Sequence, residues 1–116
     1  MKQLYKLLNS RIVKLGNILK VRNNFNFPAV YVISKPDSQI VIYAGRTKSL
    51  PLWRRIYDHK TITGTTSDLN MMIKKKDYSQ KIEEYGVRYL KIEDTRERMF
   101  FESFIIAVLQ PELNKN

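Results

Sequence analysis

Cysteine is missing from the chain and histidine occurs once, at His59. The first absence excludes disulfide scaffolds, zinc–thiolate sites and thiol nucleophiles. The second excludes a metal site built from several histidines. A chain without cysteine is expected to be intracellular. Glycine and proline are scarce, four of each, so there is no low-complexity linker. Long apolar runs are missing as well. The first twenty residues, MKQLYKLLNSRIVKLGNILK, never place more than two apolar residues in succession, so neither a signal peptide nor a membrane span is expected. Acidic residues are few, 11 against 21 Lys and Arg, and the net charge is +10. Lys and Arg that neutralise phosphates release counterions from a nucleic acid, so this balance makes DNA or RNA a candidate partner. Ribosomal, membrane-surface and nucleolytic proteins all share such basicity.

At 116 residues, 43% of them hydrophobic, the chain has the length and apolar content of one domain with a buried core. Leu4, Leu8, Ile12, Leu15 and Leu19 recur at helical spacing, so residues 1–22 are expected to form one amphipathic helix with Lys2, Lys6 and Lys20 opposite. FPAVYVIS (27–34) and QIVIYAG (39–45) flank the turn Lys35-Pro36-Asp37-Ser38 and predict a β-hairpin. A helix follows from Ser49 and Pro51 to about Lys60, and another from Thr66 or Ser67 to about Lys76. Residues 77–85 fit no pattern cleanly. Gly86 opens a third strand, VRYLKIE. Asp94 caps a final helix with Glu97 in capping-box spacing, and Pro111 stops it. The expected class is α+β: a three-stranded, mostly antiparallel sheet flanked by helices.

Three groups of polar residues stand out. Glu102 has Met99, Ile105, Ile106 and Leu109 as helical neighbours, and a carboxylate on an apolar face needs a partner or a metal. A salt bridge to Arg98, one turn earlier, is the plain alternative. Arg55 and His59 share one helix face, about 6 Å apart in an ideal helix; a solvated basic face would look the same. Tyr31 and Tyr43 fall one in each hairpin strand, where packing alone favours aromatics.

Taken in order, these residues resemble the GIY-YIG nuclease superfamily over roughly residues 28–114. Ala29-Val30-Tyr31 stands at the GIY triplet and Tyr43-Ala44-Gly45 at the YIG triplet, with Arg46-Thr47 as the polar continuation. Arg55 and His59 match an Arg-x-x-x-His helix. Glu102 and the closing Pro111-x-Leu-Asn114 match the family's metal-binding glutamate and terminal asparagine. The first triplet lacks its glycine and isoleucine, and the second has Ala for isoleucine. Arg54 adjoins Arg55, and the spacing to His59 selects Arg55 as the match.

The resemblance implies an α+β GIY-YIG-like fold over residues 26–116, with residues 1–25 as a basic amphipathic helix packed on it. It implies a Mg²⁺-dependent DNA endonuclease, with Mn²⁺ as a substitute ion. Glu102 would ligate the metal and Arg55 would clamp phosphate oxygens. Tyr31 or His59 would be the general base, with neighbouring charge needed to lower a tyrosine pKa near 10. Tyr43 would hold the water or phosphate, and Asn114 would support the site. Arg46, Arg54, Lys74 and Lys75 are candidate substrate contacts; the Lys74-Lys75-Lys76 run equally suits a helix C-terminus. The expected partner is double-stranded or branched DNA, with no membrane. The expected state is a monomer or a homodimer, and a protein partner for targeting is open. Location in the cytoplasm or nucleoid is expected, and a phage or mobile-element origin is open. Two other classes stay in view: a catalytically inactive nucleic-acid-binding module, and a basic structural protein such as a ribosome-associated one.

Overall fold

The computed structural model describes residues 2–60 and 81–114. The strands are β1 (Val13–Lys14), β2 (Ala29–Ser34), β3 (Val41–Arg46) and β4 (Gly86–Lys91). They form one antiparallel sheet in the order β1-β4-β2-β3. The helices are α1 (Lys2–Leu8), α2 (Leu15–Lys20), α3 (Leu52–Lys60) and α4 (Thr95–Leu109). The α+β class is as expected, with a fourth strand in the sheet. The helix expected near residues 66–76, with Lys74 and Lys75, lies outside the described residues.

Sheet pleat divides the core in two. Residues alternate between faces, and β2 is buried along its whole length. Tyr31 and Ile33 point to one face, where they pack with Leu15, Ile18, Leu52 and Ile56 of α2 and α3. Val30, Val32 and Ala44 point to the other, against Leu4, Leu7, Phe101 and Ile105 of α1 and α4. Truncating such buried aliphatics costs about 2–5 kcal/mol each, so this alternation fixes the register of the central hairpin.

The single helix expected over residues 1–22 is replaced by two short helices and a strand. The leucine spacing is real, but its residues serve different faces: Leu4 and Leu7 pack on one side of the sheet, Leu15 and Ile18 on the other. The chain therefore has to cross the sheet edge. Residues 9 and 10 stop α1, with Asn9 Nδ2 donating to the Tyr5 carbonyl at 2.9 Å and Ser10 Oγ to that of Leu7 at 2.7 Å. Buried Arg88 donates to the Leu8 carbonyl at 2.7 Å. These side-chain bonds, two local and one from Arg88, supply partners that the ended helix no longer offers. Val13 and Lys14 then pair with Val87 and Gly86, covering an edge that β4 would leave open.

The last helix is set by its own sequence. The Asp94 carboxylate accepts from the Glu97 N–H at 3.0 Å. Gln110 ends the helix in the left-handed region at φ 46°, with its N–H bonded to the Ile106 carbonyl.

Candidate active site

The hairpin register builds the first half of the site. Tyr31 lies opposite Gly45 and Ile33 opposite Tyr43, so both tyrosines project from one face. The Tyr31 phenol runs across the backbone of position 45. A Cβ there would stand 2.5 Å from the Tyr31 hydroxyl and 2.7 Å from its Cζ. Glycine is thus required by close approach.

The second half comes from α3. Leu52 and Ile56 anchor it in the core, and the Leu52 N–H is held by the Phe27 carbonyl at 2.9 Å. One turn apart, Arg55 and His59 then face the tyrosines. Tyr31 is fully buried and His59 is 1% exposed. Their Oη and Nε2 atoms are 2.5 Å apart. The rings of Tyr31 and Tyr43 stand edge-on to the His59 ring at 5.7 and 5.1 Å. The Arg55 guanidinium lies close enough to both phenols to favour their ionised forms.

A guanidinium beside the phenol can only donate, so the Tyr31 proton is directed to His59. The electrostatics agree. Burial raises the Tyr31 pKa well above its ordinary 10.0, with Tyr43 and Glu102 adding and Arg55 opposing. In this compact pocket desolvation outweighs the neighbouring guanidinium. Burial, then Arg55, lowers His59 from 6.5 to about 3. At neutral pH the pair is a protonated phenol donating to a neutral imidazole. His59 Nδ1 is buried with no hydrogen-bond partner among the described residues.

Glu102 projects from α4, and its charge is felt at both tyrosines. Arg98 is not its partner. That guanidinium is buried and donates instead to the carbonyls of Thr47, Lys48, Ile92 and Glu93 and to Thr95 Oγ1, at 2.8–3.2 Å. Glu102 Oε1 is met by Arg46 Nε at 3.0 Å. Among the described residues no group of three or more His, Cys, Asp or Glu could hold a metal. A cation at Glu102 would therefore have one carboxylate plus water or substrate oxygens, a set that suits hard Mg²⁺ and not zinc.

Asn114 closes the arrangement from the chain's end. Its Oδ1 accepts from the Ala44 N–H at 2.7 Å and its Nδ2 donates to the Ala44 carbonyl at 2.9 Å. The side-chain amide thus takes the place of a neighbouring strand, fixing the residue between Tyr43 and Gly45. Arg54 points away from the cluster, pairing with Asp58 at 3.4 Å and lying over the Tyr57 ring at 5.8 Å. Arg55 also lines a hollow of about 210 Å³ with Lys48, Ser49, Leu50 and Asp58. Larger hollows, about 580 and 540 Å³, run along α2 and contain no residue of this cluster. Thr47 and Arg98 are structural residues that sequence reading does not single out for this purpose. Thr47 Oγ1 accepts from the Ala29 N–H at 3.0 Å, locking the two triplets together. No helix among the described residues is long and apolar enough to cross a membrane.

By sequence, no family model and no curated protein matches the chain. By structure, the chain is similar to the GIY-YIG N-terminal endonuclease domain of UvrC from Thermotoga maritima. A form carrying a tyrosine-to-phenylalanine substitution and bound to its catalytic divalent cation superposes with TM-score 0.53 and 17% identity, covering 84% of this chain and 97% of that one. A second such substitution gives 0.53 and 16% over the same shares. A magnesium-bound form gives 0.51 and 16%, covering 80% of this chain and 93% of that one. The chain has the GIY-YIG fold.

Proposed function

We propose that this chain is a divalent-metal-dependent endonuclease hydrolysing phosphodiester bonds of DNA. One observation carries the reading: the Tyr31 hydroxyl stands 2.5 Å from His59 Nε2, with the Arg55 and Glu102 charges close enough to act on it. The fold, whose solved relatives are endonuclease domains with a catalytic divalent cation, supports it. The net charge of +10 supports a phosphate-rich partner.

Hydrolysis requires an activated water, neutralised charge on the pentavalent phosphate, and a stabilised leaving oxygen. Arg55, beside both phenols, presents its donors to phosphate oxygens. The water gives a proton to the Tyr31 oxygen as Tyr31 passes its own proton to His59 Nε2. The imidazole is thus the terminal base, and the tyrosine never has to exist as a free phenolate. A phosphate on Arg55 cancels part of the positive charge that disfavours the imidazolium. Tyr43 orients the same phosphate or water. Glu102 would hold the divalent ion, which would supply positive charge at the scissile phosphate and leaving oxygen.

The test is supercoiled plasmid incubated with the protein in Mg²⁺ or EDTA, beside Glu102→Ala. Mg²⁺-dependent nicking is expected, lowered in the variant by roughly a hundredfold or more. Intact DNA binding with no nicking by the wild type would overturn the reading in favour of a binding module.

A further inference from the structure

The Arg46–Glu102 pair is unlike the surface ion pairs. Its side chains are 19% and 23% exposed, against 30–74% for the partners in Lys14–Glu84, Arg54–Asp58, Lys60–Glu83 and Lys91–Glu93. Arg46 is positioned by the sheet, immediately after Gly45 and opposite Val30. Its guanidinium is therefore delivered to the carboxylate by the same strand that carries Tyr43. The contact is made through Nε, 3.0 Å from Oε1. A guanidinium engaged at that edge can turn its Nη groups to a phosphate. Two cations cannot share one partly buried carboxylate without repulsion at short range.

We propose that Arg46 is a tethered counter-cation that competes with the divalent ion for Glu102 and is drawn off by a DNA phosphate. This rests on Glu102 being the metal ligand. Without DNA, Arg46 neutralises the carboxylate and keeps metal affinity low. When a phosphate engages Arg46, the carboxylate is released to the metal. By linkage, metal binding then strengthens DNA binding by the same factor. Arg46 is a positioning residue in this scheme, acting through Glu102.

The experiment is Mn²⁺ titration of the DNA-free protein, read by the electron paramagnetic resonance signal of free Mn²⁺. Wild type is compared with Arg46→Gln, Arg46→Met and Glu102→Gln, with circular dichroism to show each is folded. The Met variant keeps the aliphatic stem should the Gln variant not fold. Removing the tethered charge is expected to tighten Mn²⁺ binding by roughly tenfold, the equivalent of one partly buried ion pair. Glu102→Gln is expected to abolish that binding. Equal affinities for wild type and the Arg46 variants, all dependent on Glu102, would overturn the competition and leave Glu102 as ligand. Weaker binding in the Arg46 variants would overturn it too. Mn²⁺ binding indifferent to Glu102→Gln would instead remove the assignment on which the proposal rests.

Discussion

Tyr31 lies across the sheet from Gly45, and its phenol occupies the space that any side chain at position 45 would need. The glycine and the tyrosine are two halves of one feature. Gly45→Ala would push a Cβ against the hydroxyl and Cζ of a fully buried ring that has no room to move aside. We expect a loss of about 1–3 kcal/mol in stability, as for other overpacked cores. Cleavage should fall further than stability does, because the displaced ring leaves His59. Denaturant melts and plasmid nicking on Gly45→Ala check this; a variant as stable and active as wild type would show that the close approach is not tight.

His59 gives the protein a pH signature. Its folded pKa, about 3, lies below the ordinary 6.5. Below pH 6.5 the unfolded chain therefore takes up a proton that the folded chain refuses. The sign follows: this contribution to stability is complete above pH 6.5 and is lost as pH falls toward 3. Between pH 7 and 5 the loss should be about 2 kcal/mol. Urea midpoints for wild type and His59→Gln at both pH values test it. Parallel pH dependence in the two proteins would contradict the buried, neutral imidazole.

The Asn114 amide makes paired bonds to Ala44 at 2.7 and 2.9 Å, 70 residues away. Asn114→Ala should cost about 1–2 kcal/mol. Asn114→Asp should cost as much, since it turns a donor into an acceptor facing a carbonyl. Thermal denaturation of the two variants measures this. If Asn114→Asp keeps wild-type stability, the side chain contributes through packing and not through these bonds.

Arg98 ties four carbonyls from two chain segments to the first turns of α4. Lysine has a point charge and cannot span that set. Arg98→Lys should therefore destabilise by about 2–4 kcal/mol, despite keeping the charge. Chemical denaturation of that variant beside Glu102→Gln separates the two residues. A mild effect for Arg98→Lys, with a severe one for Glu102→Gln, would restore the intrahelical ion pair that the fold replaces.

Much of the fold was legible because its signals are local. The hairpin alternation of residues 29–34 and 41–46, the cap at Asp94 and the stop at Pro111 each lie within a few residues of what they determine. The apolar spacing of α3 likewise placed Arg55 and His59 on one face. Periodicity failed over residues 2–20 for a reason that local pattern cannot carry. Leu4, Leu7, Leu15 and Ile18 keep helical spacing whether they face one core or two. Only the open edge of β4 and the Arg88 guanidinium 80 residues on from Leu8 decide that the chain must break and cross.

The candidate site divides the same way. From sequence alone came the residue types, their order along the chain, and the excess of positive charge, because these are properties of composition and spacing. Tertiary structure alone decided the partners: Arg46 and not Arg98 for Glu102, Ala44 for Asn114, His59 for the Tyr31 proton. It also decided the direction of the Tyr31 and His59 pKa shifts. Those shifts follow from burial, and burial depends on what the rest of the chain places around a side chain.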